Sequence, residues 1–370
     1  MSMTRMMTRR LAAGISAAGL AAGLAITAAG TAQAAVPDKW GFAFVDKPAV
    51  AGIPDLAHQA GSWPVPLHAH STPGAPGQVV VRFPHLASKG GVVHVTAVSS
   101  GPVWCQAQKW GPSGLDELVS VRCFKAGGVP VFSQFTVAYT TSTKGPFPAG
   151  RAYGYVHFQP GPGIVATFNS AGGANTVTPG PTGVWTVKMP GLGSTVPLGG
   201  IQITAVDPTG PAKCEVHAWG WTASGQAFQV RCFNGGSAPL KTGWTLSYQR
   251  KRAITGTQPK LFAYTFDNKP LLAGPYAPAP AGINFNSQSG LNTVRSAGTG
   301  LRLAQFPRVG ALPDNVLVTP FHVGPGFCNL LTLWATSAAA PNVIVRDVAC
   351  YTAAGVLKSQ PSMITYTSSH

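Results

Sequence analysis

Cys105-Gln106-Ala107-Gln108-Lys109-Trp110, followed by Val121-Arg122-Cys123-Phe124, is the stretch whose reading decides the fold. It returns as Cys214 to Trp219 with Val230-Arg231-Cys232-Phe233, and again as Cys328 to Trp334 with Val348-Ala349-Cys350-Tyr351. Residues opposed in a hairpin lie at equal distances from its turn. The midpoints are Gly114 in Gly-Pro-Ser-Gly, Ala223 in Thr-Ala-Ser-Gly, and the Ala338-Ala339-Ala340 run before Pro341-Asn342. Each pair therefore brackets a turn signal, and the spacing predicts three hairpin disulfides: Cys105–Cys123, Cys214–Cys232 and Cys328–Cys350. Closing loops of about 20 residues stabilises each copy by roughly 3 kcal/mol in the chain-entropy model. The cysteines sit one per strand with no CxxC spacing, so thiolate metal ligation is not expected.

Around these hairpins the chain repeats. Three units of about 110 residues each open on an aromatic strand: Trp40-Gly41-Phe42, Tyr153-Gly154-Tyr155 and Phe262-Ala263-Tyr264. Two of them continue with a polar segment, Asn169-Ser170-Ala171-Gly172-Gly173-Ala174-Asn175-Thr176 and Asn286-Ser287-Gln288-Ser289-Gly290-Leu291-Asn292-Thr293. The first instead carries Gly61 to His70 with Trp63. A strand ending in Pro84, Pro190 or Pro307 follows, then Val92–Ala97, Ile201–Ala205 or Val316–Thr319. Next comes the cysteine hairpin, and a strand ending in Tyr139, Tyr248 or Tyr366 closes each copy. Seven or eight short-linked strands per copy, among 45 Gly and 33 Pro, predict an all-β protein of antiparallel meander repeats. The preferred arrangement is a β-propeller of about six blades, two per repeat. There the strand near Met363–Tyr366 would pair with the one near Trp40–Phe44. Three tandem β-sandwiches are the alternative. The expected segments are 1–34, 35–150, 151–260 and 261–370, with 35–370 forming one closed domain in the propeller case.

Residues 1–34 read as a signal peptide. Arg5, Arg9 and Arg10 precede the apolar run Leu11–Ala29, and Ala32-Gln33-Ala34 is a small-x-small cleavage site. No later run is long enough for a membrane span. Export explains the cysteines and predicts a secreted, extracellular or wall-associated protein. The formal charge of +16 drops to about +13 without the leader arginines, against ten acidic residues. That balance favours polyanions, which outside a cell means wall or other extracellular polysaccharide before nucleic acid.

The repeat motifs resemble those of a group of secreted actinobacterial proteins whose function is uncharacterised. In size and inferred class the chain is also similar to dispase autolysis-inducing protein, a secreted propeller that is a transglutaminase substrate. The first resemblance implies secretion and β repeats and carries no activity.

Chemistry is sparse. No Gly-x-Ser-x-Gly elbow or phosphate loop occurs, and the acids do not recur at matched positions, so neither an enzyme nor a cofactor is expected. His68-Ala69-His70, with His58 and His85 nearby, has a metal-like spacing but few carboxylates to support it. Trp40, Trp110, Tyr153, Trp219, Phe262 and Trp334 recur once per copy in two sets. As exposed faces they would stack on sugar rings at three equivalent sites; as core residues they would fill the same gap three times. Gln249-Arg250-Lys251-Arg252 is the one dense basic run, either a solvated link or an anion contact. The first expectation is a non-enzymatic binding or structural protein at the cell wall or on polysaccharide. The second is a protease modulator or transglutaminase substrate, with Lys39, Lys47, Gln59, Lys358 and Gln360 as crosslinking candidates. The third is a hydrolase.

Overall fold

The computed structural model describes residues 38–142, 147–256, 260–321, 324–337 and 341–370. The leader and its cleavage site lie outside the described residues. All three cystine pairs form as the spacing predicts, and each joins directly opposed residues of neighbouring strands. In the first two hairpins a bulge follows two residues after the cysteine, between Ala107 and Lys109 and between Val216 and Ala218. The extra residue moves each turn half a position from the midpoint, to Gly114–Leu115 and Ala223–Ser224.

Strands are nearly all of the regular structure, but they are not ordered as meanders. In each repeat the opening strand (Lys39–Val45, Ala152–Gln159, Phe262–Asp267) pairs with the closing strand of the same repeat (Gln134–Thr141, Gly243–Arg250, Ser362–Ser368). An inner strand (Val92–Val98, Gly200–Val206, Asp314–Pro320) lies on the other side of the closing strand. A short strand (Gln59–Gly61, Gly163–Asn169, Asn284–Asn286) borders the opening one. The cysteine hairpin and the strand ending in proline make a second sheet. The two sheets of a repeat share one core, as Val45, Val95 and Val137 do with Val81, Val121 and Cys123 in the first. The second and third repeats are built alike.

The meander order is thereby corrected, and among the described residues no propeller of four-strand blades is shown. The strand holding Met363–Tyr366 pairs with Phe262–Asp267 and not with Trp40–Phe44. The opening strands are so alike that sequence offers no means of telling a closing strand's own partner from a neighbour's. Pairing within the repeat lets both sheets close over one core.

The aromatic-small-aromatic motif has a physical cause. Alternate residues of a strand face opposite sides. Ala43 and Val45 face the first repeat's core, while Trp40 and Phe42 face outward and pack with Tyr153, Tyr155, Ile254 and Leu317 at a seam between repeats. The small residue between them is demanded by close packing: a methyl on Gly154 would lie 2.8 Å from Leu192 Cδ1 and 2.9 Å from Met189 Sδ.

The repeats are joined in a cycle. Each hairpin reaches the inner strand of the next repeat, through Ala107–Val206, Val216–Phe321 and Leu330–Val98. Neighbouring inner strands also share an amide-to-threonine hydrogen bond at each junction. Val95 N donates to Thr204 Oγ1, Ile203 N to Thr319 Oγ1, and Val318 N to Thr96 Oγ1, at 3.1, 3.0 and 2.9 Å. Side chains follow the same cycle. His94 Nε2 meets Ser247 Oγ at 2.7 Å and Gln202 Nε2 meets Thr365 Oγ1 at 2.9 Å, while at the third position Leu317 and Ala138 share an apolar cluster.

Candidate functional site: a cationic groove beside the third repeat

In the first two repeats the outward aromatics pack against one another. In the third they lie beneath Phe285, the half-buried ring that floors an open groove. Phe285 lies 5.6 Å, centroid to centroid, from both Phe262 and Tyr264. On either side of Phe285 and Lys251 lie hollows of about 320 and 590 Å³. The smaller is lined by Arg151, Lys251, Arg252 and Lys260, the larger by Arg250, Lys251 and Asn284. No carboxylate lines either hollow among the described residues.

The opening strands, the closing strand of the second repeat and the polar segment of the third position these groups. Arg151 and Lys260 stand two residues before Tyr153 and Phe262, where the first repeat has Asp38. Arg151, Lys251 and Lys260 are exposed. Arg250 is half-buried and fixed by a 2.9 Å bond from Nη1 to the Gly193 carbonyl. Lys251 has φ +50 and Ser289, which also lines the larger hollow, φ +57. Both are left-handed conformations disfavoured for residues with a Cβ, and such residues concentrate where function fixes the backbone. The Lys251 amide donates to Tyr264 Oη at 3.4 Å. Burial pushes the Tyr264 phenol up, so it stays a neutral partner. The groove therefore presents flat apolar surface flanked by uncompensated positive charge. It can hold an anionic chain, and among the described residues no histidine or carboxylate lines it.

Arg252 is a correction to the solvated-link reading of the basic run. It is buried, its Nη2 lies 2.7 Å from Asp38 Oδ2, and its guanidinium lies over Phe147 and Tyr153. The recurring aromatics are corrected as well. Trp40, Tyr153, Phe262 and Trp334 are buried, so they cannot offer open faces to sugar. Trp110 and Trp219 are half-buried, each with its indole N–H bonded, to the Gly90 carbonyl and to Gln226 Oε1. The exposed tryptophan is Trp221, which sequence reading passed over because it does not recur.

The polar segments hold structure. Asn175 Nδ2 bonds the Tyr155 and Phe168 carbonyls, and Asn292 Nδ2 does the same to Tyr264 and Phe285. Of the histidines, His68 and His85 are exposed, His70 is half-buried, and His58 is buried. Among the described residues no group of three or more His, Cys, Asp or Glu converges. His58 Nδ1 meets Asp314 Oδ1 at 2.7 Å, a pair with the outline of a catalytic dyad. Asp314 is saturated by Trp334 Nε1 and Thr336 Oγ1, and neither member of the pair lines the groove. Of the crosslinking candidates, Lys47 and Lys358 are exposed and Lys39 reaches the Ala87 carbonyl. Gln59 and Gln360 are buried and hydrogen-bonded, which corrects their expected exposure. Among the described residues no helix is long and apolar enough to cross a membrane. No family model, curated protein or solved structure matches the chain.

Proposed function

We propose that the chain is a secreted, non-enzymatic binding protein that holds anionic cell-wall or extracellular polysaccharide in the groove beside its third repeat. The observation that carries this reading is the run of Arg151, Arg250, Lys251 and Lys260 around Phe285 with no lining carboxylate. Charge attracts a polyanion from a distance, and the half-buried Phe285 ring gives a sugar a face to rest on. Three disulfides suit an oxidising compartment and a scaffold that resists proteolysis. On this reading the chain belongs with the secreted actinobacterial proteins its repeats resemble.

Co-sedimentation with purified cell walls, and with insoluble polysaccharides with and without acidic groups, tests the proposal. Retention is expected on the anionic materials at low salt, with release as ionic strength rises. The triple variant Arg151→Glu, Lys251→Glu, Lys260→Glu changes only exposed side chains and should lower retention at least about tenfold, about 1.4 kcal/mol. No retention at low salt, or equal retention by the variant, overturns the reading. The competing role, engagement of extracellular enzymes, keeps support as an amine donor through Lys47 and Lys358. Incorporation of a labelled glutamine peptide by transglutaminase would favour it.

A further inference from the structure

The residue before the first cysteine of each hairpin is Trp104, Lys213 and Phe327. The cyclic joining of the repeats brings these three positions together around a cavity of about 40 Å³. Equivalent residues of all three inner strands line it, among them Ala97, Ala205 and Pro320. Lys213 is 4% exposed. Its Nζ lies 4.8 Å from the centroid of Trp104 and 5.5 Å from that of Phe327, and no hydrogen-bond acceptor reaches it. Two aromatic faces thus flank the ammonium, and no protein acceptor takes any of its three donors.

An enclosed cation of this kind is costly unless something compensates it. The charged group that acts on it is Glu215, which itself feels Arg231 and Lys358. Glu215 already takes a hydrogen bond from the Gly324 amide at 3.0 Å, and burial pushes its carboxyl up to about 8. At neutral pH it therefore brings little negative charge, while burial pulls Lys213 down to about 8 and still leaves it mostly an ammonium. The cavity exceeds the volume of a single water and is too small for a sugar or a carboxylic acid of several carbons.

We infer that this cavity is a binding site for a monovalent anion of halide size, held on Lys213 Nζ where the three repeats meet. Such an ion would satisfy the ammonium and tie together one element from each repeat. This site is separate from the polysaccharide groove and stands whether or not that reading does.

The test is thermal unfolding at constant ionic strength while chloride replaces gluconate, which is too large to enter. A saturable rise in Tm with chloride is expected. It should be lost in Lys213→Met and kept in Lys251→Ala, which removes a groove cation. A Tm indifferent to chloride, or a chloride response that survives Lys213→Met, overturns the site. Should Lys213→Met fail to fold, crystals of the unaltered protein grown in bromide decide. An anomalous peak in contact with Lys213 Nζ supports the proposal, and its absence means that water alone fills the cavity.

Discussion

Arg252 belongs to the densest basic run of the sequence, yet it serves Asp38 and the rings of Phe147 and Tyr153 instead of solvent. Its neighbours Arg250 and Lys251 line the groove. The division has a simple origin. At the register two residues before the opening aromatic, the first repeat supplies an acid and the others supply Arg151 and Lys260. The acid takes one guanidinium inward and the cations leave the rest uncompensated. Removing one partner of a buried pair leaves the other charged in a poor solvent. Arg252→Ala should therefore lower the unfolding free energy by about 3 kcal/mol, while Arg252→Met with Asp38→Asn recovers most of the loss. Urea denaturation of the two variants checks this. A single variant as stable as the unaltered protein would count against the pair's role. The sequence shows the basic run plainly. It does not show which member turns inward, because Asp38 and Arg252 are more than 200 residues apart and meet only through the fold.

Among elements, the cystine hairpin was the most legible. Its pairing follows from spacing and turn residues alone, both local properties. The bulges after Ala107 and Val216 were not legible, since an extra residue in one arm leaves no compositional trace. The pairing of opening with closing strands was also hidden, because every copy offers the same strand faces. Cys214→Ala with Cys232→Ala should lower stability by about 3 kcal/mol in the chain-entropy model, read as a lower urea midpoint with a steeper slope as the freed unfolded chain expands. The groove needed two elements the sequence could not bring together. The outward aromatics are obvious in all three repeats, but packing decides that a groove opens over the third set, with Phe285 as its half-buried ring.

At the scale of the whole molecule, buried titratable groups set a stability profile with two limbs. Burial pulls His94 down to about 3 and His157 down to about 4, so the folded state refuses protons that the unfolded chain accepts below about 6.5. Their contribution is complete above that pH and fades as pH falls. Burial pushes Glu117 up to about 7 and Glu215 up to about 8, so the folded state keeps protons that the unfolded chain has released. Their contribution is complete below the ordinary carboxylate range and is lost as pH rises to about 8. Chemical denaturation across pH 3–9 should show greatest stability near pH 5–6. Glu117→Gln, which copies its second-repeat counterpart Gln226, should flatten the alkaline limb. His94→Gln, which copies Gln202, should flatten the acid one. Unchanged limbs in these variants would show that other groups govern the profile.

The three amide-to-threonine bonds between inner strands carry a consequence for how such a chain can change in length. In a stacked array, a unit added or deleted leaves the others undisturbed. Here the amide of each unit is answered by the hydroxyl of the following one, and the last is answered by the first. Deleting a single unit by recombination would strand one amide and one hydroxyl, and inserting a fourth would force the circuit to widen. Copy number is thus fixed at three by the bonding itself. Divergence within this architecture must proceed by substitution and by growth of outer loops, never by gain or loss of a module.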